Sequence, residues 1–130
     1  MRLLMFHVEQ FWVKPNESKA ELGKKFSEAL LVWIQSEEKD EADRVSVLRK
    51  MVKNIRWLSQ KVGTTTVILH SFAHLGDSKA NPEFADSLIE EASLRLQKRE
   101  YQVHIVPFGA FHEFKMHVKG PSLAKVFKSF

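Results

Sequence analysis

Two short segments, far apart in the chain, contain the residues best suited to chemistry. The first is Phe72-Ala73-His74-Leu75, which follows the apolar run 66–69 after two residues, and the second is Pro107-Phe108-Gly109, directly after the run 103–106. Each segment breaks the regular backbone conformation at the end of a predicted buried strand, which is where α/β folds place their reactive groups. An imidazole donates or accepts hydrogen bonds and exchanges a proton near neutral pH, while a glycine lets a ligand approach the backbone closely. The sequence therefore predicts one site where His74 and Gly109 converge.

The residue types narrow the chemistry. The chain has no cysteine, which excludes disulfides, thiolate nucleophiles and thiolate metal ligands. His70 and His74 are four residues apart, but a strand followed by a turn does not give helical metal-ligand geometry, and no other ligand lies at a typical spacing. We expect neither a metal nor a cofactor, so that reactivity must come from side chains other than cysteine, from the backbone or from the substrate.

Composition and charge indicate the number of domains, the absence of a membrane span and the kind of partner. The 130 residues, 44% of them hydrophobic, predict a single domain over residues 1–130. There is no apolar run of about 20 residues and no cleavable signal at the start, so we expect a cytoplasmic protein without a membrane contact. Residues 98–130 contain six basic and two acidic residues. The net charge of this segment therefore equals that of the whole chain, +4. This excess favours a polyanion such as RNA, although a solvated lysine-rich face gives the same counts.

Hydrophobic periodicity predicts an α/β fold, because strands and helices alternate. Two amphipathic helices are predicted, one from Val45 to Val62 that ends at Gly63, and one from Pro82 to Lys98 with Asn81 as its N-cap. A short terminal helix is expected after Gly120. The predicted strands are residues 2–7, 11–13, 30–34, 66–69, 103–106 and 111–118.

The same segments carry a family resemblance that covers nearly the whole chain. Phe72–Leu75 and Pro107–Gly109, with Phe114-Lys115 and Lys119-Gly120 downstream and Met1–Leu4 upstream, look like the N-terminal editing domain of archaeal threonyl-tRNA synthetases. The resemblance implies a D-aminoacyl-tRNA deacylase-like fold, with β-sheets covered by the two amphipathic helices, and it implies pairing into a homodimer.

The resemblance also implies a function. Such domains remove a wrong amino acid, typically serine, from the 3′-terminal adenosine of tRNA-Thr, and the free 2′-hydroxyl of that ribose helps to activate the attacking water. The implied partners are aminoacylated tRNA and a threonyl-tRNA synthetase. Because the sequence starts with methionine and stops at Phe130 with no synthetase catalytic domain, we expect either a freestanding, trans-acting protein or a fragment of a longer one.

The resemblance assigns roles to individual residues. His74 matches the family's histidine, and His112 stands where the family has a catalytic lysine; these two are the catalytic candidates. Lys125 stands near a family glutamate, so that glutamate's role does not carry over. The implied substrate-binding residues are His7, Phe72, Ala73, Pro107, Phe108, Gly109 and Phe111. Lys115 and Lys119 are the implied tRNA-binding residues.

Two alternatives remain open at this point. The shared fold allows a D-aminoacyl-tRNA as substrate. The changes at His112 and Lys125 allow a non-catalytic module that binds tRNA ends or a synthetase partner.

Overall fold

The computed structural model describes residues 1–15, 23–107 and 111–130, and within them six strands form one sheet. The sheet order is β4-β3-β2-β1-β5, with β6 also paired to β1. The strands are β1 Arg2–Pro15, β2 Lys24–Gln35, β3 Thr66–Ser71, β4 Gln102–Val106, β5 His112–Val118 and β6 Lys125–Ser129. The helices are α1 Arg44–Val62 and α2 Pro82–Gln97, and Glu38–Ala42 and Ser122–Ala124 form short 3-10 turns. The predicted α/β class is confirmed.

The first strand is longer than its sequence pattern predicted. Residues 2–7 and 11–13 belong to one strand, β1, which pairs with β2 from Arg2 opposite Gln35 to Val13 opposite Lys24. The pairing of β1 with β5 shifts register between Val8 and Gln10, as at a β-bulge. A bulge adds one residue and reverses the alternation of faces, so the apolar pattern breaks at Glu9 although the strand continues.

The predicted terminal helix is wrong. Only Ser122–Ala124 is helical, and the chain then forms β6, which pairs antiparallel with the first half of β1. Residues 125–129 alternate between exposed and partly buried, which is the period of a strand rather than a helix. β5 pairs with the second half of β1, from Val8 to Pro15, so β6 takes the edge that β5 leaves open.

Both long helices form where the sequence predicted them. Gly63 ends α1 in a left-handed conformation at φ 76°, which glycine adopts without steric cost. The Asn81 side chain accepts a hydrogen bond from the Glu83 amide and so caps α2. The apolar faces of both helices pack on one face of the sheet, and together they form the larger core, which includes Leu48, Ile55, Leu88 and Leu96.

The other face of the sheet carries a second core, which in the described parts of the chain consists of strand residues. β3 and β5 are separated by two strands, so a flat sheet would hold them roughly 14 Å apart at the usual spacing between strands. Yet the rings of His70 on β3 and Phe114 on β5 have centroids only 5.9 Å apart. The sheet therefore curls and brings side chains from distant strands together on its helix-free face. No helix in the described parts of the chain has the length and apolar character needed to span a membrane.

Candidate functional site

An imidazole–aromatic cluster lies on the helix-free face of the sheet. We use this name for His70, His112, Trp33, Phe72 and Phe114, which come from β2, β3, β5 and the residue after β3. The His70 ring lies between its neighbours, with centroids 5.8 Å from His112, 5.9 Å from Phe114 and 6.2 Å from Phe72. Phe72 stacks on Trp33 at 4.0 Å with an interplanar angle of 9°. The cluster thus joins the end of β3 to the beginning of β5.

His70 is a buried imidazole with unused hydrogen-bonding capacity. It is 5% exposed, and among the described residues its Nδ1 has no hydrogen-bond partner. Burial, with a smaller contribution from His112, lowers the pKa of His70 to about 4, so the ring is neutral near pH 7. The buried Nε2 of His112 also lacks a partner within the described chain. Such groups are costly to leave unpaired, so they mark a place where a ligand or water can bind.

His74 lies at the edge of this cluster. Its side chain is exposed, and its ring contacts Phe72 edge to face at 5.2 Å between centroids. A chain of ring contacts therefore runs from His74 through Phe72 and His70 to His112. These contacts connect the segment Phe72–Leu75 to His112 at the start of β5. The convergence of His74 with Gly109 stays a prediction, because Gly109 lies outside the described residues.

The loop that carries His74, residues 72–81, is held by two side chains from the core strands. The Oε1 of Gln35 accepts hydrogen bonds from the amides of Leu75 and Gly76 at 2.6 and 2.9 Å, and its Nε2 donates to the carbonyls of Gly76 and Ser78 at 2.7 and 2.9 Å. Arg2 donates from Nη1 to the Leu75 carbonyl at 2.8 Å. A Cβ at Gly76 would lie 2.6 Å from the Arg2 guanidinium, so glycine permits this close approach.

A cleft of about 790 Å³ opens beside the cluster. It lies between the C-terminal end of β1, the N-terminal end of β2 and the strands β4 and β5. Its lining includes the predicted residues Pro107 and His112, together with Phe26 and His104, whose rings lie 4.7 Å apart. His74 does not line this cleft and instead borders a shallower depression of about 410 Å³ with Ala73 and Leu75. His112 is the residue that belongs both to the cleft and to the cluster.

Four other predicted residues lie elsewhere. His7 is buried beside Glu28, with its Nε2 3.5 Å from the carboxylate, and burial together with the charge of Lys119 lowers the pKa of His7. Lys119 forms an ion pair with Glu28 at 2.7 Å. Lys115 is exposed, with its Nζ 5.7 Å from the centre of the Trp12 ring, and Phe111 is 80% exposed. Among the described residues, no hydrogen bond or ring contact connects His7 to the cluster.

Phe108 and Gly109, which the sequence predicted as substrate-binding, lie outside the described residues. Conversely, sequence reasoning considered His70 only as a metal ligand and did not consider Gln35. The signal for His70 was present in the alternation of β3, since residues 68, 70 and 72 share a face. Across the described ranges, no group of three histidine or acidic side chains is placed to hold a metal ion.

The sequence matches a known family over its full given length. The model for the archaea-specific editing domain of threonyl-tRNA synthetase matches residues 1–130. The chain belongs to this family. A threonine–tRNA ligase of Thermococcus sibiricus is 30% identical over 135 residues, and one of Thermococcus onnurineus is 31% identical over 135 residues. Each match covers 97% of this chain but 22% of the ligase, so the editing-domain chain spans only a part of these relatives.

Solved structures resemble this editing-domain family member in fold. A c-Myc DNA unwinding element binding protein superposes with a TM-score of 0.73 at 13% identity, covering 100% of this chain and 99% of the other. A probable eukaryotic D-amino acid tRNA deacylase also gives 0.73, at 11% identity, covering 98% and 97%. The D-aminoacyl-tRNA deacylase-like fold, implied by the sequence resemblance, is confirmed.

Proposed function

We propose that this chain hydrolyses mischarged aminoacyl-tRNA in trans, with seryl-tRNA-Thr as its substrate. Membership of an editing-domain family supports deacylation in general. One structural observation carries the proposal: the chain of ring contacts from His74 to His112, beside a cleft of about 790 Å³. That volume lies in the range of small-molecule sites and suits a terminal adenosine with an esterified amino acid.

The reaction needs little from the protein because the ester is already activated. A water oxygen attacks the ester carbonyl, the bond to the 3′-oxygen breaks, and that oxygen leaves with a proton. An imidazole suits the placement of this water, because its two ring nitrogens can donate and accept hydrogen bonds. We assign water or substrate placement to His74 and His112, and we assign to His70 the orientation of His112 and Phe72.

In this proposal the substrate itself supplies the remaining catalytic group, a ribose hydroxyl. We propose that the 2′-hydroxyl of the terminal ribose accepts a hydrogen bond from an imidazole and helps to activate the water. A chain without cysteine has no thiolate nucleophile, so a water-based route fits the available groups. We keep the predicted roles of Phe108 and Gly109 at the adenosine, of Phe111 in substrate binding, and of Lys115 and Lys119 at the tRNA backbone. Pairing into a homodimer and an association with a threonyl-tRNA synthetase stay predictions.

The test is a deacylation assay of the chain alone with seryl-tRNA-Thr, threonyl-tRNA-Thr and a D-aminoacyl-tRNA. We expect hydrolysis of the seryl ester and sparing of the threonyl ester. His74→Ala and His112→Ala should each lower kcat by about 10-fold or more, since a positioned acid–base side chain contributes roughly 100- to 10,000-fold. The matched control is His117→Ala, because His117 lies on β5 as well but on its exposed outer side, and this variant should keep full activity.

Two further substrates separate the alternatives. A seryl-tRNA that ends in 2′-deoxyadenosine should be hydrolysed far more slowly, and equal rates would remove the proposed role of the 2′-hydroxyl. Preferential hydrolysis of the D-aminoacyl ester would assign the chain to the other activity of this fold. Binding without turnover of any ester would identify a non-catalytic module.

A further inference from the structure

A basic groove of about 480 Å³ runs between α1 and α2, on the face of the sheet opposite the imidazole–aromatic cluster. No acidic residue among those that the structure describes lines it. The cationic residues that line it are Arg49, Lys53, Arg56, Arg95, Lys98 and Arg99. The sequence had pointed to the basic excess in residues 98–130, but half of these cations come from α1.

The charges of the groove are largely uncompensated. Arg95 forms an ion pair with Glu91 at 3.5 Å, and within the described residues the other five cations have no ion-pair partner. Over its 19 residues, Arg44–Val62, helix α1 contains no aspartate or glutamate. The Arg56 Nε is buried and has no hydrogen-bond partner in the described chain. The groove therefore presents donors and positive charge that the protein itself does not satisfy.

The helix dipole explains only half of this pattern. Arg95, Lys98 and Arg99 lie at the C-terminal end of α2, where cations are favourable. Arg49, Lys53 and Arg56 lie between the second and fourth turns of α1, where the dipole offers no such gain. Their spacing of four and three residues places like charges side by side, which destabilises a helix by about 0.2–0.5 kcal/mol per pair. A bound ligand of opposite charge would offset this repulsion.

We propose that the basic groove binds the phosphate backbone of RNA, at a contact separate from the acylated 3′ end. Four of the six cations are arginines, whose planar guanidinium groups bind phosphate oxygens in pairs. From Arg49 to Arg56 the helix rises about 10 Å. Over that length one strand of a duplex displays roughly three phosphates.

The aromatic residue of the groove indicates contact with the backbone rather than with bases. Trp57 is 37% exposed, but the Nζ of Lys128 lies 4.8 Å over its ring. A base that stacked on this face of the ring would have to displace the cation. Contacts to phosphates alone carry no sequence information, so we expect binding without sequence preference.

The position of the groove distinguishes it from the cleft. Both helices connect parallel strands, so their C-terminal ends lie at the sheet end opposite to His74 and Pro107. An RNA that reached both would use its body at the groove and its end at the cleft. The inference rests on the proposed function only in naming that RNA as tRNA.

The experiment measures binding of uncharged, fluorescein-labelled tRNA by anisotropy over a range of KCl concentrations. The groove variant is Lys53→Gln with Arg99→Gln. The control variant is Lys50→Gln with Lys61→Gln, which removes the same charge at exposed positions of α1 outside the groove. We expect the groove variant to bind on the order of 10- to 50-fold more weakly at 0.1 M salt and to lower the salt slope by about 1.4–1.8, and the control to bind like the unmodified chain.

Equal weakening in both variants would overturn the proposal, because it would indicate a general charge effect. Poly-glutamate that displaces the RNA at equal charge concentration would also overturn it, in favour of an acidic protein partner. Arg49→Gln with Lys98→Gln is a second groove pair, which should repeat the loss if Lys53→Gln with Arg99→Gln fails to fold. Because uncharged tRNA undergoes no hydrolysis, a negative deacylation assay would refute the proposed function and leave this binding result standing.

Discussion

Replacement of Gln35 by alanine should release the loop that carries His74. Gln35 is 2% exposed, and its amide makes four hydrogen bonds to the backbone of Leu75, Gly76 and Ser78. It lies at the end of β2, in the core strand next to β3. One side chain thus replaces the backbone pairing that an irregular loop lacks.

The expected size of the effect follows from these bonds. A hydrogen bond contributes about 1 kcal/mol net, and four bonds set an upper value of about 4 kcal/mol. The loop can turn toward water and recover part of this, so we expect its opening free energy to fall by about 2–4 kcal/mol. Since 1.4 kcal/mol is a factor of ten, amide protection in the loop should fall about 30- to 700-fold.

Native-state hydrogen exchange measures this directly at the amides of Leu75 and Gly76. Gln35→Glu keeps the acceptor oxygen and loses the donor, so it should lie between the parent and Gln35→Ala. Asn54→Ala is the matched control, because the Asn54 amide makes a single exposed hydrogen bond to the Lys50 carbonyl and should leave the loop unchanged. Unaltered protection of both amides in Gln35→Ala would refute the reasoning. If His74 acts in deacylation, kcat should fall in parallel with the loss of protection.

Three further predictions concern the site and the core. The pKa of His70 is lowered from 6.5 to about 4, so the unfolded state binds the extra proton, and the stabilising contribution present above pH 6.5 is lost as the pH falls toward 4. Relative to His70→Phe, the parent should therefore lose about 3 kcal/mol between pH 7 and 4 in urea titrations, and parallel profiles would contradict this. Phe72→Leu removes the stack on Trp33 and should cost about 1 kcal/mol and lower kcat, whereas Phe127→Leu, at a half-exposed ring, should do neither. Burial opposes the charge of Glu37, but the hydrogen bond and charge of the Met1 ammonium outweigh it, so the pKa of Glu37 is lowered and Glu37→Gln should cost about 3 kcal/mol at pH 7. This difference should shrink as the pH falls below 4.5, and thermal unfolding at two pH values checks it.

Local patterns were sufficient to predict most elements of the fold. The α1 and α2 helices follow from apolar residues at three- and four-residue steps and from the end signals at Gly63 and Asn81, all of which act within a few residues. The alternation of β5 was also visible, with Phe114 and Met116 facing the core. The terminal helix was mispredicted because five residues hold too few periods to separate a strand from a helix, and pairing with β1 decided the outcome.

The residues of the candidate site also divide into those that local sequence identified and those that depend on distances in space. Family motifs identified His74 and His112 by residue type and by position in the sequence. These motifs contain no information about which side chains surround the two imidazoles in space. The burial of His70 depends on the curl that brings β3 and β5 together across β2 and β1, and no local pattern encodes that distance. The hold of Gln35 on a loop about 40 residues away is equally non-local.

By itself, the sequence determined the period of each helix, the caps, the alternation of most strands and the family, because these depend on neighbouring residues and on their order. Only the tertiary structure decided which imidazoles are buried, which backbone amides a buried glutamine holds, and that cations from two helices line one groove. Burial, pKa shifts and charge density depend on distances in space. Those distances exist only once the sheet has curled and the helices lie side by side.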